Sequence, residues 1–238
     1  MEKLKKFLEN NPQAKILDVG TGRGNFIGLI DHLYKDYEKI VGIDILGKAV
    51  EMASKYFEDN GKIEIIEKDI INTGFPKEHF DIVCLSNSLH HLDDILGRFK
   101  SMETLVKPGG YLLFNEMMKD NLNKKQISHK LIHHFSAKLD REMGMTHNDT
   151  YNRQEIIDVI KANSKFDFVD AWDMEVPTED ASKAEIEGMI KTVDMLLSRL
   201  NDEKLIMTHT AEAEEIKQYI KENGIQACTQ LLVVLKKA

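Results

Sequence analysis

Short apolar runs rich in valine and isoleucine recur through the first half of the chain, separated by segments whose apolar residues repeat with helical period. Strands buried on both faces form continuous apolar runs, whereas helices packed on a sheet show apolar residues every three or four positions. The alternation predicts right-handed crossover units, and therefore an α/β fold with helices on both faces of a mostly parallel sheet. The predicted strands, each apolar throughout, are residues 15–19, 40–44, 63–67, 80–85 and 111–115.

The second half of the chain departs from this alternation in two stretches, residues 118–150 and 175–226. Apolar residues recur at four-residue spacing in the first and form a broad stripe in the second, which predicts helices in both. Elsewhere the alternation resumes, with a helix around residues 156–160, a strand at 166–172 and a final strand at 230–236. We therefore predict one domain, residues 1–238, whose α/β core carries two helical insertions.

Charge and cysteine content narrow the class of protein. The chain has 32 Lys and Arg against 40 Asp and Glu, a formal net charge of −8, and residues 118–238 alone carry 17 basic and 21 acidic side chains. Such a surface disfavours nucleic acid as a partner, because phosphate binding uses an excess of cations. Cys84 and Cys228 lie in apolar runs, as expected of buried thiols in a reducing compartment. Without a signal core or an apolar run near ~18 residues, we expect a cytoplasmic protein with no membrane partner.

The strongest local signal is a buried strand that runs into a glycine-rich turn and a helix, Ile-Leu-Asp-Val-Gly-Thr-Gly-Arg-Gly at residues 16–24. Glycines at 20, 22 and 24 allow a sharp turn and let the backbone lie against a ligand. Asp44 ends the next strand, where a carboxylate can accept two ribose hydroxyls. Dinucleotide folds use G-x-G-x-x-G, but position 25 is Asn, which weakens a nicotinamide interpretation. Asp18, two residues before the first glycine, would face a cationic amine.

These residues resemble the class I S-adenosylmethionine-dependent methyltransferases, and the resemblance continues in order along about a hundred residues. Glu-Lys-Asp-Ile at 67–70, Phe-Asp-Ile-Val-Cys-Leu-Ser-Asn-Ser-Leu-His-His-Leu at 80–92 and Leu-Val-Lys-Pro-Gly-Gly-Tyr-Leu-Leu at 105–113 look like the later motifs of that family. The resemblance implies a seven-stranded, Rossmann-like sheet and S-adenosylmethionine as cofactor. The cofactor-binding residues that it implies are Asp18, Gly20, Gly22, Gly24, Asp44, Ile45, Asp69, Ile70, Ser86 and Asn87. Asp69 could instead cap a short turn.

The resemblance also implies an antiparallel last strand, which would place both insertions at the carboxyl ends of the strands as a lid over the acceptor. Methyl transfer from a sulfonium depends on alignment and exclusion of water, and needs a base only if the acceptor loses a proton. The candidate bases are His91, Glu116, His134 and His147. Helical angles turn His129 and His133 towards solvent, and no cysteine accompanies the histidines, so we predict no metal site.

The sequence thus predicts a methyltransferase acting on O, N or S of a small molecule. Two alternatives stay open: a non-catalytic cofactor-binding module whose lid binds a protein, and a methyltransferase acting on protein or RNA. A nicotinamide-dependent dehydrogenase is a further, weaker alternative. A homodimer is left open, and nothing in the sequence names the acceptor.

Overall fold

The computed structural model describes residues 1–174 and 181–238, and within them seven strands form one sheet in the order β3-β2-β1-β4-β5-β7-β6. The strands are β1 Lys15–Val19, β2 Lys39–Asp44, β3 Ile63–Glu67, β4 Phe80–Ser86, β5 Val106–Met117, β6 Asp167–Met174 and β7 Gln230–Lys236. The helices are α1 Glu2–Glu9, α2 Asn25–Leu33, α3 Gly47–Tyr56, α4 Ile95–Leu105, α5 Lys124–Glu142, α6 Arg153–Asn163, α7 Lys183–Leu197 and α8 Glu203–Asn223. The predicted α/β class is confirmed.

Most of the sheet is parallel, as the alternation of strands and helices predicts. β1 pairs in parallel with β2 and β4, β2 with β3, and β4 with β5. The last strand runs the other way: Lys237 exchanges backbone hydrogen bonds with Gly109 and Gly110 near the start of β5, whereas the Thr229 carbonyl accepts from the Met118 N–H just after the end of β5. β7 is therefore antiparallel to β5, as the family resemblance implies.

Burial follows position in the sheet. The central strands are almost wholly buried, whereas every position of the edge strand β3 is partly exposed or exposed, and β6 is buried only at Met174. The expectation that every predicted strand is buried throughout is wrong for β3, because an edge strand has a neighbour on one side only. β5 is also longer than predicted: it begins at Val106 and contains the Gly109–Gly110 turn as an irregularity in its pairing with β4.

The chain forms two compact units. The first comprises residues 1–116, 156–173 and 231–238, and contains the sheet core. The second comprises residues 117–155 and 174–230. Its described helices α5, α7 and α8 share an apolar core of Ile132, Phe135, Leu139, Val193, Leu200, Ala213, Ile216, Ile220 and Ile225.

The two predicted insertions, residues 118–150 and 175–226, fall within the segments of the second unit, although residues 175–180 lie outside the described part of the chain. Helices are present in both insertions, and α8 ends at Asn223, directly before Gly224. Their role as a lid stays a prediction. None of the described helices is long and apolar enough to cross a membrane.

Candidate active site

The turn after β1 depends on its glycines. Gly20, Gly22 and Gly24 have φ of 65°, 53° and 81°, the left-handed region that side chains with a Cβ adopt at a cost. A Cβ at Gly20 would also stand 2.7 Å from the hydroxyl oxygen of Ser88. Gly22 has open space in front of it, with no atom within 4 Å of a Cβ placed there. The turn is therefore packed at Gly20 and open at Gly22, where a ligand could approach the backbone.

Asp18 is a buried carboxylate with one unused oxygen. Its side chain lies at the end of β1, and its residue is 1% exposed. The Thr21 hydroxyl donates a 2.7 Å hydrogen bond to Oδ2, whereas Oδ1 has no hydrogen-bond partner among the described residues. Burial raises the pKa of Asp18 to about 7; the Thr21 hydrogen bond lowers it and the charge of Asp44 raises it further. A buried acceptor of this kind fits a cationic amine, which would complete its hydrogen bonding and restore its charge.

Asp44 fixes the glycine turn from the end of β2. Its Oδ2 accepts the Gly22 N–H at 2.8 Å, and its Oδ1 accepts the Leu46 N–H at 2.9 Å. Each carboxylate oxygen can accept more than one hydrogen bond, so both retain capacity for ribose hydroxyls. The next two side chains, Ile45 and Leu46, are 61% and 63% exposed although both are apolar. These exposed surfaces beside Asp44 suit contact with a flat aromatic base.

Asp69 performs the structural role that the sequence left open. Its side chain accepts the Ile71 N–H at 3.1 Å and so caps the short helical turn Ile70–Asn72. Oδ1 also accepts a 3.1 Å hydrogen bond from the Arg98 guanidinium. Ile70 is buried in the same turn. Adenine recognition by Asp69 and Ile70 stays a prediction.

The loop after β4 is tied to the glycine turn and to β5. Ser88 donates to the carbonyl oxygens of Gly20 and Ser86, at 3.2 and 3.0 Å. The Asn115 side-chain amide donates to the Ser86 hydroxyl at 3.0 Å, and the Asn87 N–H donates to the Asn115 carbonyl at 2.7 Å. Asn87 itself takes a positive φ of 46°, which asparagine tolerates better than most residues. Ser86 and Asn87 thus lie beside the glycine turn, as their predicted role requires.

Directly after this loop, His90 and Glu116 form a buried pair within the first unit. His90 Nδ1 lies 3.0 Å from Glu116 Oε1, and the Leu89 N–H donates to Glu116 Oε2 at 3.0 Å. Both side chains are 1% exposed. The sequence predicts both His90 and His91 near the acceptor and favours His91 as the base, but His91 is exposed and His90 is the histidine that Glu116 orients. The missed signal is the short turn Leu89–His91, which directs neighbouring side chains to different sides.

In the second unit, His134 and His147 each contact a polar neighbour. His134 Nε2 lies 2.9 Å from the Thr150 hydroxyl, and its Nδ1 lies 3.7 Å from the Asp149 carboxylate. Burial lowers the pKa of His134, and the charge of Asp149 opposes this effect. His147 is buried, and its Nδ1 lies 2.6 Å from Asp140 Oδ2. A catalytic role for either histidine stays a prediction.

The solvent-facing position expected for His129 and His133 is wrong. Both are only partly exposed. His129 Nδ1 accepts the backbone N–H of Cys228 at 3.1 Å, and the His133 ring packs against His147 with centroids 5.1 Å apart. The helical angles place both histidines away from the apolar stripe of α5. The helix is nevertheless in contact on that side too, with Cys228 and His147. Burial lowers the pKa of His129.

Comparison with known proteins gives a family resemblance for part of the chain. Residues 17–114 match a family model described as a methyltransferase domain. Over this range, which is less than half of the chain, the protein is similar to methyltransferase domains. The matched range includes β1 from Leu17 onward, the glycine turn, Asp44, Asp69 and the loop after β4. The candidate bases Glu116, His134 and His147 follow it. The predicted resemblance to methyltransferases and the predicted cofactor, S-adenosylmethionine, are confirmed, whereas the roles of individual residues in binding it stay predictions.

Relatives of the methyltransferase domain occur in proteins of different size. The chain is 27% identical over 136 residues to the ubiquinone/menaquinone biosynthesis C-methyltransferase UbiE of Shewanella frigidimarina, covering 56% of this chain and 53% of that protein. It is 32% identical over 128 residues to the highly reducing polyketide synthase ACTTS3 of Alternaria alternata, covering 50% of this chain and 5% of the synthase. The chain therefore spans about half the length of the UbiE relatives and a small part of the synthases.

Solved structures share the fold over nearly the whole chain. An S-adenosylmethionine-dependent methyltransferase from Aquifex aeolicus matches with a TM-score of 0.56 and 13% identity, covering 98% of this chain and 89% of that one. The [4+2]-cyclase SpnF matches with a TM-score of 0.60 and 15% identity, covering 99% and 80%. At these identities the likeness concerns the fold.

Proposed function

We propose that this protein transfers the methyl group of S-adenosylmethionine to a small-molecule acceptor. The observation that carries the proposal is Asp18: a buried carboxylate with an unused oxygen, placed directly before a glycine turn that is open at Gly22. The α-amino group of a methionine moiety supplies the cation that this oxygen lacks. When bound, the cofactor supplies an electrophilic methyl group on a sulfonium centre.

The remaining cofactor contacts follow from the described geometry. Asp44 holds the Gly22 N–H and has lone pairs left for the ribose hydroxyls, while Ile45 presents an exposed apolar surface for the adenine ring. Ser88 ties the loop after β4 to Gly20, which keeps Ser86 and Asn87 beside the same turn. The chain's own residues thus bind and orient the cofactor without making a covalent bond to it.

The proposed acceptor atoms include carbon as well as the O, N and S expected from the sequence. The UbiE relatives are C-methyltransferases, so an acidic carbon is included in the proposal. The net charge of −8 supports a small molecule over RNA, since a polyanion would be repelled. Residues of the second unit, which lies outside the family match, are proposed to determine which acceptor is used.

A proton acceptor, where the reaction needs one, is available at His90. Glu116 faces Nδ1 of the imidazole and therefore favours the tautomer with its proton there and a lone pair on Nε2. Glu116 would then be a positioning residue, and His90 would take the role that the sequence analysis assigned to His91 or Glu116. His134 and His147 remain alternative candidates in the second unit.

Cofactor binding is tested by titrating S-adenosylmethionine into the protein and into Asp18→Asn by calorimetry. Loss of a charged hydrogen bond predicts an affinity about tenfold to a hundredfold lower in the variant. Asp59→Asn, an exposed carboxylate of the same unit, is the matched control and should bind normally. Equal affinities in all three proteins would contradict the assignment of Asp18.

Catalysis and acceptor class are tested together by mass spectrometry. The protein is incubated with S-adenosylmethionine and pools of phenols, thiols, amines and carbon acids, and formation of S-adenosylhomocysteine is matched to a product heavier by one methyl group. Product from a small-molecule pool supports the proposal, and none should form with Asp44→Ala. Methylation confined to added RNA or protein, or tight cofactor binding with no acceptor in any pool, would favour the two alternatives from the sequence.

A further inference from the structure

Two histidines of the second unit lie side by side without being used by the cofactor site. His133 belongs to α5, and His147 lies in the loop that follows this helix. Their ring centroids are 5.1 Å apart with the planes at 86°, and a coordinating nitrogen of each lies within 4.8 Å of the other. His147 is 5% exposed and His133 is partly buried. This places two imidazoles together in a region with little access to solvent.

A carboxylate fixes the orientation of one of these rings. Asp140 Oδ2 lies 2.6 Å from His147 Nδ1, while the Arg199 guanidinium donates to Asp140 Oδ1. The carboxylate favours the proton on Nδ1, which places the lone pair of the ring on Nε2. Metal-bound histidines commonly show this arrangement, in which a carboxylate accepts from the other ring nitrogen, fixes the tautomer and raises the basicity of the ring.

The loop that carries His147 is held in place by its own hydrogen bonds. The Met145 N–H donates to the Asp140 carbonyl at 2.9 Å, and the Arg141 guanidinium donates to the His147 carbonyl at 2.6 Å. His134, next to His133 in sequence, has a different partner in the Thr150 hydroxyl. The adjacent His133 and His134 therefore contact different partners, His147 and Thr150. The hydrogen bonds of the loop fix the position of His147 before any ligand binds.

We propose that His133 and His147 are ligands of a divalent transition-metal ion, with Asp140 as the residue that positions His147. Imidazole nitrogen suits zinc, nickel, copper and iron. A tetrahedral ion with bonds of about 2.0–2.1 Å would hold its two nitrogens about 3.4 Å apart, which lies within the 4.8 Å limit observed. The remaining positions would be filled by water, by further side chains or by an acceptor group. This inference goes beyond the proposed methyl transfer.

The first test is titration of Zn²⁺ and Co²⁺, each alone, into full-length protein that carries no histidine tag and has been stripped with chelator. Calorimetry should show saturable binding near one ion per chain, and Co²⁺ should develop visible absorption typical of nitrogen ligation. His147→Ala and His133→Ala should each weaken binding at least tenfold. Asp140→Asn should weaken it by about tenfold to a hundredfold, the usual effect of losing such an orienting partner.

Matched controls separate this site from surface histidines and from misfolding. His32→Ala removes an exposed histidine of the first unit and should leave binding unchanged. Because a variant could simply unfold, histidine ring ¹⁵N spectra of the unaltered protein are recorded with and without Zn²⁺. Shifts of the His133 and His147 signals support the proposal. Binding retained in a His133→Ala/His147→Ala double variant, unmoved signals of these two rings, or no saturable binding would overturn it. If His133 and His147 prove to be ligands, alanine substitution of each of the nine histidines identifies any further one.

Discussion

The two units each contain a buried aspartate, and the two carboxylates are in opposite states. In the first unit, Asp18 has one oxygen bonded to Thr21 and one without a partner among the described residues. In the second unit, both oxygens of Asp140 are engaged, one by His147 and the other by Arg199. An unsatisfied buried acceptor destabilises the protein until a ligand arrives, whereas a satisfied one stabilises it at all times. The contrast separates a carboxylate arranged for a ligand from one that orients neighbouring side chains.

The largest expected effect concerns the pH dependence of stability in the cofactor-free protein. The pKa of Asp18 is raised from 3.8 to about 7, so between these pH values the folded state binds one proton more than the unfolded state. The contribution of Asp18 to the free energy of unfolding is therefore fully present below about pH 4. It is lost as the pH rises through about 7, and the total loss is roughly 4 kcal/mol at most. Urea unfolding of the protein and of Asp18→Asn from pH 4 to 8 measures the difference.

Subtracting the two unfolding curves removes the contributions of all other titrating groups. The variant should become the more stable of the two proteins as pH rises, and saturating S-adenosylmethionine should reverse this order at pH 8. If the two curves run parallel from pH 4 to 8, the carboxylate of Asp18 is not held in the state that its burial indicates.

The opposite result is expected for the carboxylate of the second unit. Asp140→Asn removes the charge that faces Arg199 and His147, and should lower the free energy of unfolding by about 1–3 kcal/mol near pH 7. Thermal or urea unfolding measures the loss. Asp59→Asn, at an exposed position, serves as the control substitution and should change little. A stabilising Asp140→Asn would erase the distinction between the two aspartates.

Much of the first unit could be predicted because its signals are local. The glycines, Asp18 and Asp44 lie at strand ends, where backbone conformation and strand direction fix their positions within a few residues. Short motifs therefore carry this part of the site. The exposure of β3 could have been predicted in part from its own residues, since Glu64 and Glu67 are its two exposed positions; that β3 is an edge strand follows only from the strand order.

The second unit and the His90–Glu116 pair depend on contacts between distant residues. Asp140 contacts Arg199 in the turn after α7, and His129 accepts a hydrogen bond from Cys228, far along the sequence. Helical periodicity gives the angle between side chains on α5 but not the number of faces that are covered. In the same way, sequence suggested a histidine after β4, but only the turn Leu89–His91 decides which of the two adjacent rings is buried.

A smaller effect should separate two glycines within the first unit. Gly20→Ala places a Cβ 2.7 Å from the Ser88 hydroxyl oxygen on a residue with positive φ. Gly22→Ala also places a Cβ on a residue with positive φ, but no atom lies within 4 Å of it. We expect Gly20→Ala to destabilise the protein by about 2 kcal/mol and Gly22→Ala by about 1 kcal/mol. Urea unfolding without cofactor measures both. For S-adenosylmethionine affinity we expect the opposite order, with the larger loss in Gly22→Ala, if the ligand occupies the space in front of Gly22. Equal losses of stability would show that Ser88 moves aside freely.

The smallest effect is expected from surface ion pairs, and it should be alike in the two units. Lys39 pairs with Glu64 across β2 and β3, and Lys138 pairs with Glu212 between α5 and α8, with all four side chains at least 38% exposed. Exposed pairs contribute about 0–1 kcal/mol and are screened by salt. Lys39→Met and Lys138→Met should therefore each change the free energy of unfolding by less than about 1 kcal/mol, and the change should shrink in 1 M salt. A larger, salt-insensitive loss in either variant would mean that exposed charges, and not only the buried aspartates, distinguish the two units.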